Sequence, residues 1–288
     1  MKLGKVIFGD NQFLGVNHTS QRKATELFKH YADADNIIET LAVSYDAGVR
    51  DFMFTTHERY EEVFSEISRS NLFPGMGYIP CVPYAHKYWN QLYDNSLPKV
   101  LISTLSKAPL AKLPMAIVAG AFGKYSRLIE TVILLENTMC KGLNVKGVFL
   151  QNAAFDLLLS LEAYDLLEAF YLAVEQRLEL VPGFITMNHP RALNALTDTI
   201  GIERPILCAN FNESGTRMHP QREAVIDSFA CGRSNNIAMS IFGAGVNVGQ
   251  SLDYVIAQMK TGGVDSILFG SSNEKNIQEN VSKISKFL

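Results

Sequence analysis

Apolar residues follow two alternating patterns along the chain: short runs rich in Val, Ile and Phe, and longer stretches in which apolar positions recur with helical spacing. The short runs predict buried strands, and the helical spacing predicts amphipathic helices. The predicted strands are Lys5–Gly9, Asp51–Thr56, Met76–Pro83, Val145–Leu150, Val181–Met187, Arg204–Asn210, Ile237–Phe242 and Asp265–Gly270. The helical stretches lie near residues 20–47, 58–70, 125–142, 155–176, 190–200, 220–232, 249–262 and 273–287. Eight alternating pairs predict an α/β protein with the (β/α)8 TIM-barrel fold.

The length of the chain agrees with one barrel. A TIM barrel typically has about 250 residues, and this chain has 288. The excess lies mostly between the third predicted strand and its helix, at about residues 84–124. We therefore expect a single domain over residues 1–288, in which this insertion is an active-site lid or a subunit contact of a homo-oligomer.

Composition narrows the class of protein. Hydrophobic residues make up 47% of the chain and charged residues 19%, which excludes a disordered or collagen-like protein. The formal net charge of −3 gives no general attraction to nucleic acid or to an anionic membrane. At the start of the sequence Asp10 interrupts the apolar residues before a signal-peptide core is complete, and no later apolar run approaches the length of a transmembrane helix. These features predict a soluble, cytoplasmic protein with reduced cysteines.

Polar residues follow every one of the first six predicted strands, where a TIM barrel carries its active site. Five of the six histidines lie in these segments. Neutral imidazoles from neighbouring strands, together with a carboxylate, suit a divalent metal ion such as Mn²⁺, Mg²⁺ or Zn²⁺. The predicted ligands are His18, His57, His86 and Glu58, with Asn17 as an alternative to the glutamate. For any one of these histidines the alternative is a hydrogen-bonded loop residue.

The end of the chain offers an anion site. Ser271, Ser272 and Asn273 connect the last predicted strand to the last helix, and backbone N–H groups at a helix N-terminus bind phosphate. The alternative is that Ser272 or Asn273 only caps the helix. Candidates for further substrate or phosphate contacts at the barrel mouth are Asn11, Gln12, Lys87 and Arg217, and candidates for the general base are Asp10, His189 and Glu213.

Both ends of the chain resemble the aldo-keto reductases. The likeness covers the sequence Ala-x-x-Tyr-Asp-Ala-Gly-Val-Arg-Asp-Phe at 42–52 before Thr55-Thr56, and residues 267–273 followed by 277–280. It implies a barrel and an NADPH phosphate site at the last turn. The catalytic residues of the family are not matched in this chain. Phe54 stands where the family has Asp, and Gln151 stands where it has His. Arg59 stands where the family has Tyr, and Tyr60 follows one place later. The family Lys is absent from strand three, although Lys87 is close. These departures argue against hydride transfer in the manner of the family.

A second resemblance concerns the first strand exit. The sequence Asn-Gln-Phe-Leu-Gly-Val-Asn-His at 11–18 resembles the opening of metal-dependent, non-flavin pyranose–furanose mutases that act on GDP-sugars. This likeness implies a redox-neutral isomerase that binds a nucleotide diphosphate sugar and a divalent cation, and it is the leading hypothesis from the sequence. The alternatives are an NADPH-dependent reductase with altered catalytic residues, and a nucleotide-binding barrel without catalysis.

Overall fold

A computed structural model describes residues 3–16, 20–83, 125–243 and 248–287 of the chain. The eight strands are β1 Val6–Gly9, β2 Asp51–Thr55, β3 Gly77–Val82, β4 Gly147–Leu150, β5 Val181–Thr186, β6 Ile206–Asn210, β7 Asn235–Met239 and β8 Ser266–Phe269. They pair in sequence order, all parallel, and β8 closes on β1. The predicted TIM barrel is confirmed. The proposed insertion at 84–124 lies outside the described residues.

Helices surround this barrel. They are α1 Gln21–His30, α2 Ala34–Asp46, α3 Tyr60–Arg69, α4 Tyr125–Glu136, α5 Asn152–Ser160, α6 Tyr164–Leu172, α7 His189–Asn194, α8 Arg222–Ala230, α9 Val248–Lys260 and α10 Glu274–Ser285. In the described part of the chain, no helix is both long and apolar enough to cross a bilayer.

Local backbone chemistry explains where the predicted elements were too long. The stretch 20–47 forms two helices because Asp33 caps a new one, its side chain accepting a hydrogen bond from Asp35 N. The stretch 155–176 also divides, and Glu162 between its two helices has φ 54°. Strand β7 ends at Met239 rather than Phe242, because Ser240 takes φ 54° and leaves the extended region.

Alternate residues of the strands build two cores. Side chains that point outward, such as Phe8, Phe52 and Phe54, pack under the helices. The barrel interior is filled by a smaller apolar set: Ile7, Met53, Ile79, Cys81, Phe149, Ile185, Cys208 and Ile237. Phe149 occupies the space beside Gly183, where an added Cβ would lie 2.3 Å from its ring. The interior is therefore a packed core rather than a pore.

A buried ion pair ties the N-terminal end of the barrel. Asp51, which has no exposed surface, forms a salt bridge with Lys146 and accepts a hydrogen bond from Gly4 N. A Cβ at Gly77 would collide with both charged side chains. This contact connects β2 to the segments that precede β1 and β4, and it leaves the opposite end of the barrel for the site.

Candidate active site

A cavity of about 860 Å³ opens at the C-terminal ends of the strands. This volume lies within the range of small-molecule and cofactor sites. Its floor is apolar and includes Met53, Cys81, Ile185, Met239 and Leu268, while its rim is polar. The site therefore lies on the face where TIM barrels perform their chemistry.

Asp10 is a carboxylate at the edge of this cavity, directly after β1. Its side chain is buried, and its Oδ2 atom accepts hydrogen bonds from Thr55 N at 2.7 Å and from the Tyr60 hydroxyl at 3.3 Å. Burial raises the pKa of Asp10 from 3.8 to about 6, although the two hydrogen bonds oppose this rise. A carboxyl with such a pKa can both donate and accept a proton near neutral pH, which suits a general acid or base.

Tyr60 lies behind Asp10, in an aromatic enclosure. Its ring has no exposed surface and stacks on Phe64 with centroids 5.3 Å apart, while Phe54 and Phe52 meet it edge-on at 5.4 and 6.0 Å. Burial and the charge of Asp10 raise the pKa of Tyr60 well above its ordinary value of 10. Phe54, which matches the position of the family's catalytic Asp, belongs to this same cluster beneath the helices.

The turn between β8 and α10 forms the other side of the cavity. Gly270 and Ser271 line the cavity, and the Asn273 side chain caps α10 by accepting a hydrogen bond from Asn276 N at 3.0 Å. The capping role considered from the sequence is therefore present at Asn273. Ser272 and Asn273 are exposed beside the cavity, and phosphate binding by this turn stays a prediction.

Gln12 packs against that turn. Its Nε2 donates to Gly9 O at 2.7 Å, and its Oε1 is buried with no hydrogen-bond partner among the described residues. A Cβ at Gly270 would lie 2.2 Å from this oxygen, so any larger residue there would displace the Gln12 side chain. Asn11, one residue earlier, is exposed and lines the cavity.

Among the described residues, the cationic side chains that line the cavity are Lys23 from α1, Arg217 from the loop after β6 and Lys283 from α10, and the carboxylate of Glu279 from α10 lines it as well. Arg217 has φ 59°, and its carbonyl accepts a hydrogen bond from Asn210 Nδ2 at 3.0 Å. Lys283 also pairs with Asp253 at 2.7 Å. These cations give the cavity donors suited to an anionic ligand.

The loop that carries Arg217 is built on Asn212. This buried side chain accepts hydrogen bonds from Thr216 N and Ser214 Oγ, both at 2.9 Å. Its amide nitrogen donates to the carbonyls of Thr216 at 3.0 Å and Ser240 at 3.3 Å. One asparagine therefore fixes the loop after β6 and joins it to the end of β7.

Two candidate bases do not lie at the cavity. His189 has no exposed surface, and its ring nitrogens are bonded to Ser228 Oγ at 2.8 Å and Asn236 Oδ1 at 2.9 Å. Its burial lowers the pKa from 6.5 to about 4, so it stays neutral and structural. Glu213 is exposed outside the cavity lining, and its carbonyl accepts a hydrogen bond from Arg222. The proposed catalytic roles of His189 and Glu213 do not fit these positions.

The predicted metal site is only partly described. His18, His86, Asn17 and the phosphate candidate Lys87 lie outside the described residues. His57 is half-buried and its Nδ1 accepts a hydrogen bond from Arg59 N at 3.0 Å, while Glu58 is exposed. No group of three or more metal-ligating side chains occurs within the described ranges. Within those ranges, His57 and Glu58 do not belong to a cluster of metal-ligating side chains.

Sequence reasoning did not find Thr55, Lys23 or Lys283 as site residues. Thr55 acts through its backbone N–H, which carries no sequence signal. Lys283 shares its helix face with Asn276 and Asn280, because the spacings of four and three residues place them on one side of α10. That polar stripe was the signal available for this side of the cavity.

Comparisons with known proteins identify the fold. No family model matches the chain, and no curated protein matches it by sequence. A solved protein assigned to the aldo-keto reductases of Pseudomonas aeruginosa matches at TM-score 0.60 and 13% identity, over 100% of this chain and 91% of that one. A Bombyx mori aldo-keto reductase in complex with NADP matches at TM-score 0.53 and 12% identity, over 98% and 88%. A variant of the protein Gox0644 in complex with NADPH matches at TM-score 0.50 and 10% identity, over 98% and 87%. The chain is thus similar in fold to aldo-keto reductases, with a (β/α)8 barrel of their type.

Proposed function

We propose that this protein is an NADPH-dependent oxidoreductase that interconverts a small carbonyl compound and its alcohol, with Asp10 as the group that transfers the proton. The observation that carries the proposal is a titratable carboxyl at the edge of an apolar floor, in a cavity whose lining also includes Lys23, Arg217 and Lys283. The structural similarity to reductases that bind NADP or NADPH favours redox chemistry over the pyranose–furanose mutase hypothesis.

The residues of the cavity fit a phosphorylated dinucleotide. Lys23, Arg217 and Lys283 supply cations in the lining, and Ser271 lines the cavity beside the N-terminus of α10. Next to the same turn, the buried Oε1 of Gln12 is an acceptor that has no donor within the described part of the chain. These residues would hold the phosphates and neighbouring polar groups of the cofactor, which when bound supplies the hydride.

Proton transfer in this cavity falls to Asp10. A carbonyl oxygen that gains negative charge needs a proton donor, and protonated Asp10 donates from its carboxyl at the cavity edge. Tyr60 cannot take this role because its ring is fully buried and its hydroxyl is directed at Asp10. Gln151, which lines the cavity at the end of β4, is placed to orient the carbonyl. Ionised Asp10 serves as base in the opposite direction.

The pKa of Asp10 sets opposite pH dependences for the two directions. Reduction requires the protonated carboxyl, so its rate falls as the pH rises through about 6. Alcohol oxidation requires the carboxylate, so its rate rises over the same range. Such mirrored profiles are expected when one residue holds the proton.

The test is the turnover of NADPH with a panel of small aldehydes, followed by fluorescence of the cofactor and by mass spectrometry of the product. We expect a product heavier by two hydrogens, turnover that survives a metal chelator, and at least a hundredfold loss in Asp10→Asn. A nucleotide sugar converted, with metal and without NADPH, into a product of identical mass would refute the proposal in favour of the mutase. NADPH binding without turnover of any substrate tested would instead favour a non-catalytic barrel.

A further inference from the structure

We infer that Tyr60 is a positioning residue, whose buried hydroxyl fixes Asp10 at the cavity edge and favours its ionised form. This inference rests on the proposed function for its catalytic meaning. It assigns to tyrosine a role different from that of a proton donor, although the reductase-like sequence pattern places a tyrosine near this point in the chain.

The geometry around Tyr60 supports a fixed hydroxyl. Phe52, Phe54 and Phe64 enclose the ring, with centroid distances of 5.3 to 6.0 Å. The hydroxyl bonds to Asp10 Oδ2 at 3.3 Å, and Thr55 N bonds to the same oxygen at 2.7 Å. Two donors, from β2 and α3, therefore hold the carboxyl that follows β1. The enclosing rings restrict rotation of the tyrosine ring, and its burial keeps water from the hydroxyl.

In the described ranges, few charged and titratable groups lie near this pair. Arg59 precedes Tyr60 and lowers the pKa of its hydroxyl, whereas the larger effects of burial and of Asp10 raise it. Cys81 from β3 faces both Asp10 and Tyr60, and Cys208 from β6 lies next to Cys81. Burial raises the pKa of both thiols, so they stay protonated and neutral. No salt bridge to Asp10 occurs among the described residues, so the tyrosine and Thr55 are its principal polar partners.

The variant Tyr60→Phe keeps the aromatic ring and removes only the hydrogen bond. A donor to a carboxylate stabilises its charged form, so this variant should raise the pKa of Asp10. We expect the midpoint of the pH profile for aldehyde reduction to move upward by about one pH unit, with kcat/KM at pH 6 within tenfold of the wild type. Melting curves of the variant check that it is folded.

Tyr78→Phe is the matched control. Tyr78 is also buried, but its hydroxyl has no hydrogen-bond partner in the described part of the chain and does not contact Asp10. Removing it should leave the midpoint unchanged. If Tyr60→Phe leaves the midpoint at the wild-type value, or removes turnover more than a thousandfold at every pH, the inference is wrong, and the second result would identify Tyr60 as the proton donor.

A direct titration separates this inference from the proposed function. The carboxyl carbon of Asp10 can be followed by ¹³C NMR in the wild type, in Tyr60→Phe and in Tyr78→Phe, without NADPH or substrate. An upward change in the Asp10 pKa confined to Tyr60→Phe supports the positioning role even if no aldehyde is reduced. An identical Asp10 pKa in all three proteins overturns it even if NADPH-dependent reduction is observed.

Discussion

The raised pKa of Asp10 predicts that ionisation of this carboxyl lowers the free energy of unfolding. A carboxyl that binds its proton more tightly in the folded state than in the unfolded state stabilises the fold only while it is protonated. Between pH 3.8 and about 6 the native protein holds a proton that the unfolded chain has released. The free energy of unfolding should therefore fall as the pH rises through this window, and then stay constant.

The magnitude follows from the two pKa values. The rise from 3.8 to about 6 is about two pH units, and each unit corresponds to about 1.4 kcal/mol. The ionised carboxyl therefore costs about 3 kcal/mol above pH 6. Asp10→Asn removes the charge and keeps an oxygen that can accept a hydrogen bond from Thr55 N. The difference in the free energy of unfolding between this variant and the wild type should therefore be about 3 kcal/mol more favourable to the variant at pH 7 than at pH 4.

Urea unfolding of the wild type and of Asp10→Asn at closely spaced pH values measures this difference. The variant's advantage should grow from pH 4 to about 6.5 and then level off. Asp51→Asn is the opposite control, because Asp51 forms a buried salt bridge with Lys146 and its loss should destabilise the protein by about 3 kcal/mol or more near neutral pH. A constant difference between Asp10→Asn and the wild type across this range would refute the argument.

Three further substitutions test the cavity walls. Arg217→Gln should weaken NADPH binding about tenfold in a fluorescence titration, because it removes a cation from the cavity lining. The control is Arg233→Gln, which should leave NADPH binding unchanged because Arg233 pairs with Asp198 outside the lining. Gly270→Ala should raise the KM for NADPH at least tenfold with a smaller effect on melting, because its Cβ would meet Gln12 Oε1; an unchanged KM would show that the turn does not contact the cofactor. Asn212→Ala should lower the free energy of unfolding by about 2–3 kcal/mol in urea titrations, because it leaves four hydrogen bonds unmade, and a loss below about 0.5 kcal/mol would contradict the loop's dependence on it.

The sequence predicts the barrel well, because buried parallel strands are marked by continuous apolar runs. The predicted strands that begin at Asp51 and Val181 begin at the same residues in the structure, as β2 and β5. Errors occur where a single residue changes the backbone, as at Ser240 and Glu162. A positive φ at serine or glutamate has no reliable signature in the sequence, in contrast to glycine.

The site was less predictable than the fold. Asp10 was a candidate because it follows a strand, and it does line the cavity. His189 also follows a strand, yet its ring turns to Ser228 and Asn236 beneath the helices. The sequence places a residue at the mouth of a barrel, but the direction of its side chain depends on partners far away in the chain.

The filled interior of the barrel has a kinetic consequence. Ile7, Ile79, Phe149 and Ile237 occupy the space beneath the cavity, so the part of the barrel that the structure describes is closed along its axis below the cavity floor. A small substrate that reaches Asp10 and the product formed there must use the same mouth. Under the proposed function, aldehyde and alcohol therefore share one mouth, and added alcohol should slow the steady-state reduction of the aldehyde.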